Sequence, residues 1–186
     1  MNLLSRAKKI ILSPREEWQV ISQEDLTLTD LYLNYALIFI LAVFIASSLG
    51  LVLFSPFPMG PGLLVRQLIL SLLAGLGSLF IMAYIVDFLA VRFGGEADLL
   101  ASHKLVVFSS TPGWVGGLLS IFPPASIIGL IFGLYGIYIF YLGVPVIKKV
   151  PQEKAVLFTV VVILISLVFF SLLGLLLSPF SMYATK

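Results

Sequence analysis

The chain has 186 residues, of which 60% are hydrophobic and only 11% charged. A soluble domain carries about 25% charged residues, so these values place the chain among integral membrane proteins. A net charge of +2 gives no basis for nucleic-acid binding, and the absence of cysteine excludes disulfides, thiolate metal sites and cysteine nucleophiles.

Residues 1–30 are expected to form a cytoplasmic lead-in rather than a domain. In NLLSRAKKII, Leu3, Leu4, Ala7, Ile10 and Ile11 share one helical face, with Arg6, Lys8 and Lys9 off it. That pattern predicts an amphipathic helix lying in the membrane interface, its cations near anionic headgroups. SPREEW then starts a second short helix, with Ser13 as cap, Pro14 at the first helical position and Glu16 completing a capping box. Trp18 is expected to anchor it at headgroup level, as Lys8 and Lys9 do for the first. A partner-docking motif is the other reading of this segment. The start lacks an apolar core ahead of a small-residue cleavage site, so no signal peptide is expected and the first span serves as an uncleaved anchor.

Five apolar runs long enough to cross a bilayer follow, at about 31–54, 67–91, 105–122, 125–147 and 155–177. The fold class is therefore all-α: a polytopic membrane protein with five transmembrane helices, residues 31–186 forming the membrane domain. The third run is short and carries Pro112, so either it spans or it is broken and re-entrant at Ser109–Gly113. The third and fourth, joined across Pro123–Pro124, are expected to form an antiparallel hairpin. Arg6, Lys8, Lys9, Arg15, Arg92, Lys104, Lys148, Lys149 and Lys154 fall on one side, against Arg66 and Lys186 on the other. Nine against two puts the N-terminus in the cytoplasm and the C-terminus outside.

Small residues mark where membrane helices meet. The first span has Ala42, Ala46 and Gly50; the second has Ser71, Gly75 and Ser78; the fourth has Gly129, Gly133, Gly136 and Gly143. The fifth is bulky on all sides and is expected at the periphery. At about 100° per residue from Gly129, Tyr135, Tyr138 and Tyr141 fall near 240°, 180° and 120°, opposite the glycines. Asp87 and Tyr84 likewise oppose the small face of the second span, so both helices are expected to be buried on two faces.

Depth supplies a second coordinate. Asp87, Ser109, Ser110, Thr111, Tyr141 and Thr159 all lie roughly 6–11 Å inside the cytoplasmic boundary, with Tyr138 and Tyr135 deeper. Asn34 and Tyr35 of the first span stand at a similar level. One reading is a tyrosine belt with interfacial hydroxyls. The other is a cytoplasm-facing polar cluster around Asp87, since an intramembrane carboxylate is a functional candidate by default. His103 is the sole histidine, so no metal site or Ser-His-Asp relay is expected, and RFGGEAD reads as a turn rather than a phosphate cradle. Neither an enzyme nor a cofactor is expected.

The order of motifs resembles the Yip family, the Ypt/Rab-interacting membrane proteins, in its short prokaryotic form. The resemblance runs through IILSPREEWQVI (Pro14, Glu17, Trp18, Ile21) with Glu24, and through IVDFLAVRFGG (Asp87, Phe93, Gly94, Gly95). It continues in STPGWVGGLL and LYGIYIFYLGVP, and ends at Pro151 and Lys154-Ala155. It implies five spans with a cytoplasmic N-terminus. Eukaryotic members associate with Rab-type GTPases through a longer N-terminal region, so such a partner is not expected for these thirty residues. The expected function is non-enzymatic organisation of membrane lipid or partner proteins, in a membrane-shaping or trafficking-like role. The expected partners are membrane lipids and further copies of the chain as a homo-oligomer, in a prokaryotic cytoplasmic membrane. The alternative is a small transporter or channel for an ion, lipid or small solute, using a cavity around Asp87.

Overall fold

The computed structural model describes residues 2–54 and 60–183. Lys186, counted above on the outer side, and residues 55–59 of the first outer connection lie outside them. The described chain is helical: α1 (Leu3–Leu12), α2 (Pro14–Gln23), α3 (Leu28–Phe54), α4 (Pro61–Arg92), α5 (Leu99–Ser109), α6 (Thr111–Gly117), α7 (Ser126–Ile147) and α8 (Gln152–Tyr183). Two 3₁₀ turns, Leu118–Ile121 and Pro123–Ala125, connect α6 to α7.

Local chemistry sets the helix starts. The Asn2 side chain accepts from Ser5 N–H at 3.1 Å, and the Asp98 carboxylate accepts from Ala101 N–H at 2.9 Å. Pro14 occupies the first turn of α2 as expected, but Ser13 makes no side-chain cap and the box with Glu16 does not form. A capping box forms instead at α3, where Thr27 and Asp30 satisfy each other's backbone N–H. One turn later α3 widens into a π segment, Tyr32–Ala36, which turns Tyr32 and Tyr35 inward.

Four helical segments are long and apolar enough to cross a membrane: Leu28–Phe54, Pro61–Arg92, Ile127–Ile147 and Gln152–Leu172. The third expected span is not a single helix. It stops at Ser109 and resumes at Thr111, because Pro112 has no N–H for the Phe108 carbonyl. Every residue from Ala101 to Ser109 except Lys104 is buried, so α5 lies inside the protein rather than against lipid. That enclosure is why the segment tolerates Ser102 and His103, which find partners within the protein.

The small residues act unequally. A Cβ on Gly116 would meet Phe132 Cβ at 2.6 Å and Gly129 Cα at 3.0 Å, so α6 and α7 pack backbone to backbone there. Gly136 admits the Ser109 carbonyl, and Gly143 admits Trp18 and Leu105. Gly50 faces the Ser120 and Ile121 carbonyls, Ala46 is buried near it in α3, and Gly75 receives Ile40. Ala42 and Ser71 are half-buried. Gly133 departs from the expected seam, since no atom lies within 4 Å of its would-be Cβ. α8 packs on α4 and α7 through one face, with Ala155, Phe158, Thr159, Val162 and Ser166 buried and Val156, Leu157, Val160 and Leu164 facing outward.

Candidate functional site

Two polar assemblies occupy the end of the bundle where α4 finishes and α5 starts. In the first, Asp87 on α4 meets Lys148, which directly follows α7. The Lys148 ammonium donates to Asp87 Oδ1 at 2.7 Å and to the Asp98 carbonyl at 2.7 Å. Asp87 Oδ1 also accepts from Ser102 Oγ and from Asp98 N–H, each at 3.0 Å. Lys148 is wholly enclosed, whereas the Asp87 side chain keeps 24% exposure. A buried ammonium is tolerated only with such partners.

The backbone around this pair is shaped to close on itself. Gly94 has φ of +87°, a left-handed conformation open to glycine at little cost, and Lys149 takes φ of +55°. A Cβ on Gly95 would lie 2.5 Å from the Lys148 carbonyl, so only glycine allows Glu96 N–H to donate to that carbonyl at 2.9 Å. The RFGGEAD turn is thereby fastened to the IKKVP turn, and α4, α5 and α7 are locked together at one end.

The second assembly fastens α1 and α2 to the bundle. Trp18 is fully buried, and its Nε1–H donates to the Ile139 carbonyl at 3.0 Å. Tyr135 Oη donates to the Ile11 carbonyl at 2.7 Å, and Lys104 Nζ donates to the Glu24 carbonyl at 2.6 Å. Arg6 pairs with Glu17 and Glu24 while lying 5.7 Å from the Phe108 ring centre. Beside this cluster Tyr35 Oη and Thr111 Oγ1 are 2.8 Å apart, and Tyr32 Oη lies 2.6 Å from His103 Nδ1.

These contacts revise the reading of the N-terminus. Trp18 is enclosed by protein: its indole finds an acceptor in the Ile139 carbonyl, in space left by Gly143. Ala7 and Ile10 pack inward with Leu3 and Ile11 against the core, so the apolar face of α1 meets protein rather than lipid. Arg6 belongs to that inward face because Glu17 and Glu24 neutralise it. Lys8 and Lys9 are exposed, as are Leu4 and Leu12 beside them.

The single polar layer divides into separate groups. Asp87 bonds Ser102 and Lys148, not the tyrosines. Tyr84 and Tyr138 are outward-facing and exposed, contrary to burial on both helix faces. Tyr138 lies 5.8 Å from Tyr135 ring to ring, and Tyr141 Oη accepts from Gln152 Nε2 at 3.3 Å. Ser110 and Thr159 donate to carbonyls of their own helices, Val106 and Ala155. Ser109 Oγ, buried, has no partner among the described residues, and Ser78 donates to the Gly75 carbonyl. Sequence reasoning missed Lys148, Ser102, Asp98, Arg6, Glu17 and Glu24. Lys148 directly follows α7 and Asp87 lies about one turn and a half before the end of α4, and the sequence alone does not say that the two meet.

The arrangement fixes charge and backbone in place. Among the described residues no group of three or more His, Asp or Glu side chains is placed to hold a metal ion. Comparison with curated proteins and with solved structures returns no match. A family model described as the Yip1 domain matches residues 8–173, a stretch that includes Trp18, the Asp87–Lys148 pair and the α6–α7 glycine contact. The chain belongs to the Yip1 domain family.

Proposed function

We propose that this protein is a non-enzymatic membrane organiser whose clamped N-terminal hairpin gives a rigid platform for lipid or partner proteins at the cytoplasmic surface. The observation that carries this reading is the attachment of α1–α2 through Trp18, Arg6, Tyr135 and Lys104, which leaves Leu4, Lys8, Lys9, Leu12 and Arg15 facing outward. Exposed leucines beside lysines suit the boundary between acyl chains and anionic headgroups. α5, α6 and the following 3₁₀ turn cover 99–121, which at 1.5 Å per residue reaches roughly 35 Å and supports a fifth crossing. The nine-to-two cation count supports a cytoplasmic N-terminus and an outer C-terminus, and a prokaryotic cytoplasmic membrane is the setting of this reading. The outward-facing leucines along α3 and α8 offer surface for lipids and for assembly of further copies.

Reconstitution tests the reading. In liposomes containing one-third phosphatidylglycerol, wild-type protein is expected to form oligomers and to change vesicle diameter or lipid order. Lys8→Glu with Lys9→Glu is expected to weaken the effect, and phosphatidylcholine alone to reduce it. A strict monomer with no influence on lipid packing in either membrane refutes the proposal. The transporter alternative draws less support, because Lys148 neutralises Asp87 and the hydroxyl-lined crevice between α4, α5, α7 and α8 is not lined by Asp87. Proteoliposome flux abolished by Asp87→Asn or Tyr138→Phe would restore it.

A further inference from the structure

A crevice of about 360 Å³ lies between α4, α5, α7 and α8, within the roughly 300–1,000 Å³ range of small-molecule sites. Its walls are apolar except for five hydroxyls: Ser78, Ser109, Ser110, Thr159 and Ser166. No ionisable side chain lines it among the described residues. Four of the hydroxyls are spent on carbonyls of their own helices. The fifth is not: Ser109 is 7% exposed, and its Oγ has no hydrogen-bond partner among the described residues. Leaving a buried hydroxyl unpaired is costly, and this one lies roughly 15 Å along α5 from its start.

The crevice is also kept open by the sequence. Gly113 and Gly133 both line it, and a Cβ on either would meet no atom within 4 Å. Neither glycine is there for helix contact; each leaves space that a side chain would occupy. Past Ser78 and Phe170 the crevice continues along α4, beside Leu73, Gly77 and Ile81, as an apolar groove of about 470 Å³.

We propose that this crevice binds a neutral-headed membrane lipid, whose hydroxyl or carbonyl oxygen accepts a hydrogen bond from Ser109 Oγ and whose tail lies in the groove along α4. A charged head is excluded by the same walls, because a phosphate or carboxylate at this depth would be desolvated without a cation to pair with. A purely hydrocarbon occupant would fill the space and leave Ser109 unsatisfied. The site is independent of the platform reading, and neither stands or falls with the other.

Native mass spectrometry of the full chain, titrated with three probes, tests the assignment. Oleyl alcohol and oleyl sulfate share a tail and differ in head charge, while decylubiquinone presents carbonyl oxygens in place of a hydroxyl. Saturable one-to-one binding is expected for the alcohol, the quinone or both, at least tenfold tighter than for the sulfate. The neutral probe that binds identifies whether a hydroxyl or a carbonyl head is preferred. Ser109→Ala is expected to weaken that binding roughly fivefold, the loss of one neutral hydrogen bond. Gly133→Leu is expected to abolish it. Should Gly133→Leu fold poorly, the Gly113→Ala, Gly133→Ala double variant narrows the crevice with two methyls and is expected to lower affinity several-fold with thermal stability unchanged or raised. The proposal is overturned if neither neutral probe binds saturably, if oleyl sulfate binds equally well, or if the crevice-filling variants bind like wild type.

Discussion

Neutralising Asp87 tests the Asp87–Lys148 lock most sharply. The Lys148 ammonium has no exposure and two acceptors, Asp87 Oδ1 and the Asp98 carbonyl, each at 2.7 Å. Asp87→Asn removes the countercharge and leaves an enclosed cation with neutral oxygens, which is expected to destabilise the fold by about 3–5 kcal/mol. Lys148→Met keeps the volume and removes the cation. It leaves Asp87 partly hydrated and still bonded to Ser102 and Asp98 N–H, so a smaller loss of about 1–2 kcal/mol follows. With both changes no buried charge remains, and the double variant is expected to recover about 2 kcal/mol relative to additivity. Unfolding free energies from denaturant titration in mixed micelles give all three values. The reasoning fails if Asp87→Asn lies within about 0.5 kcal/mol of wild type, if the order of the two single variants is reversed, or if the pair is additive.

Further outcomes can be read by the same titration. Trp18→Phe retains most of the buried ring but loses the bond to the Ile139 carbonyl, costing about 1 kcal/mol. Trp18→Ala costs about 3–5 kcal/mol and accelerates amide exchange throughout α1 and α2. Gly95→Ala forces a methyl against the Lys148 carbonyl and Val150, and is expected to cost at least about 1–3 kcal/mol. Gly133→Ala meets nothing and is expected to be neutral or to stabilise α7 by up to about 1 kcal/mol. Arg6→Met leaves Glu17 buried without its cation and is expected to cost about 3–5 kcal/mol, largely recovered by adding Glu17→Gln.

Hydropathy made the membrane class and four crossing helices legible, because a span needs a long apolar run whatever it packs against. The glycine contacts were legible at Gly129, Gly136 and Gly143, whose spacing places them toward one side of α7. Gly133 has the same residue type on the same helix and faces empty space, a difference that depends on what stands opposite. Asp87 was identifiable as costly, but its partner was not. Lys148 is 61 residues away, and pairing across that distance is decided by how α4 and α7 meet. The docking of the N-terminal hairpin on the bundle was not legible for a related reason. Periodicity shows that α1 has an apolar face; it does not show whether protein or lipid covers it. Arg6 belonged to that face only because Glu17 and Glu24 come back to meet it.

The docked hairpin is the central claim, and Trp18 reports on it directly. The sequence contains two tryptophans, so Trp114→Phe leaves Trp18 as the sole indole. In nanodiscs its emission is expected to be blue-shifted and resistant both to acrylamide and to lipids brominated near the headgroup, because the ring is fully enclosed between α2, α5 and α7. Strong quenching by either agent would place the indole in water or in lipid and contradict the clamped hairpin.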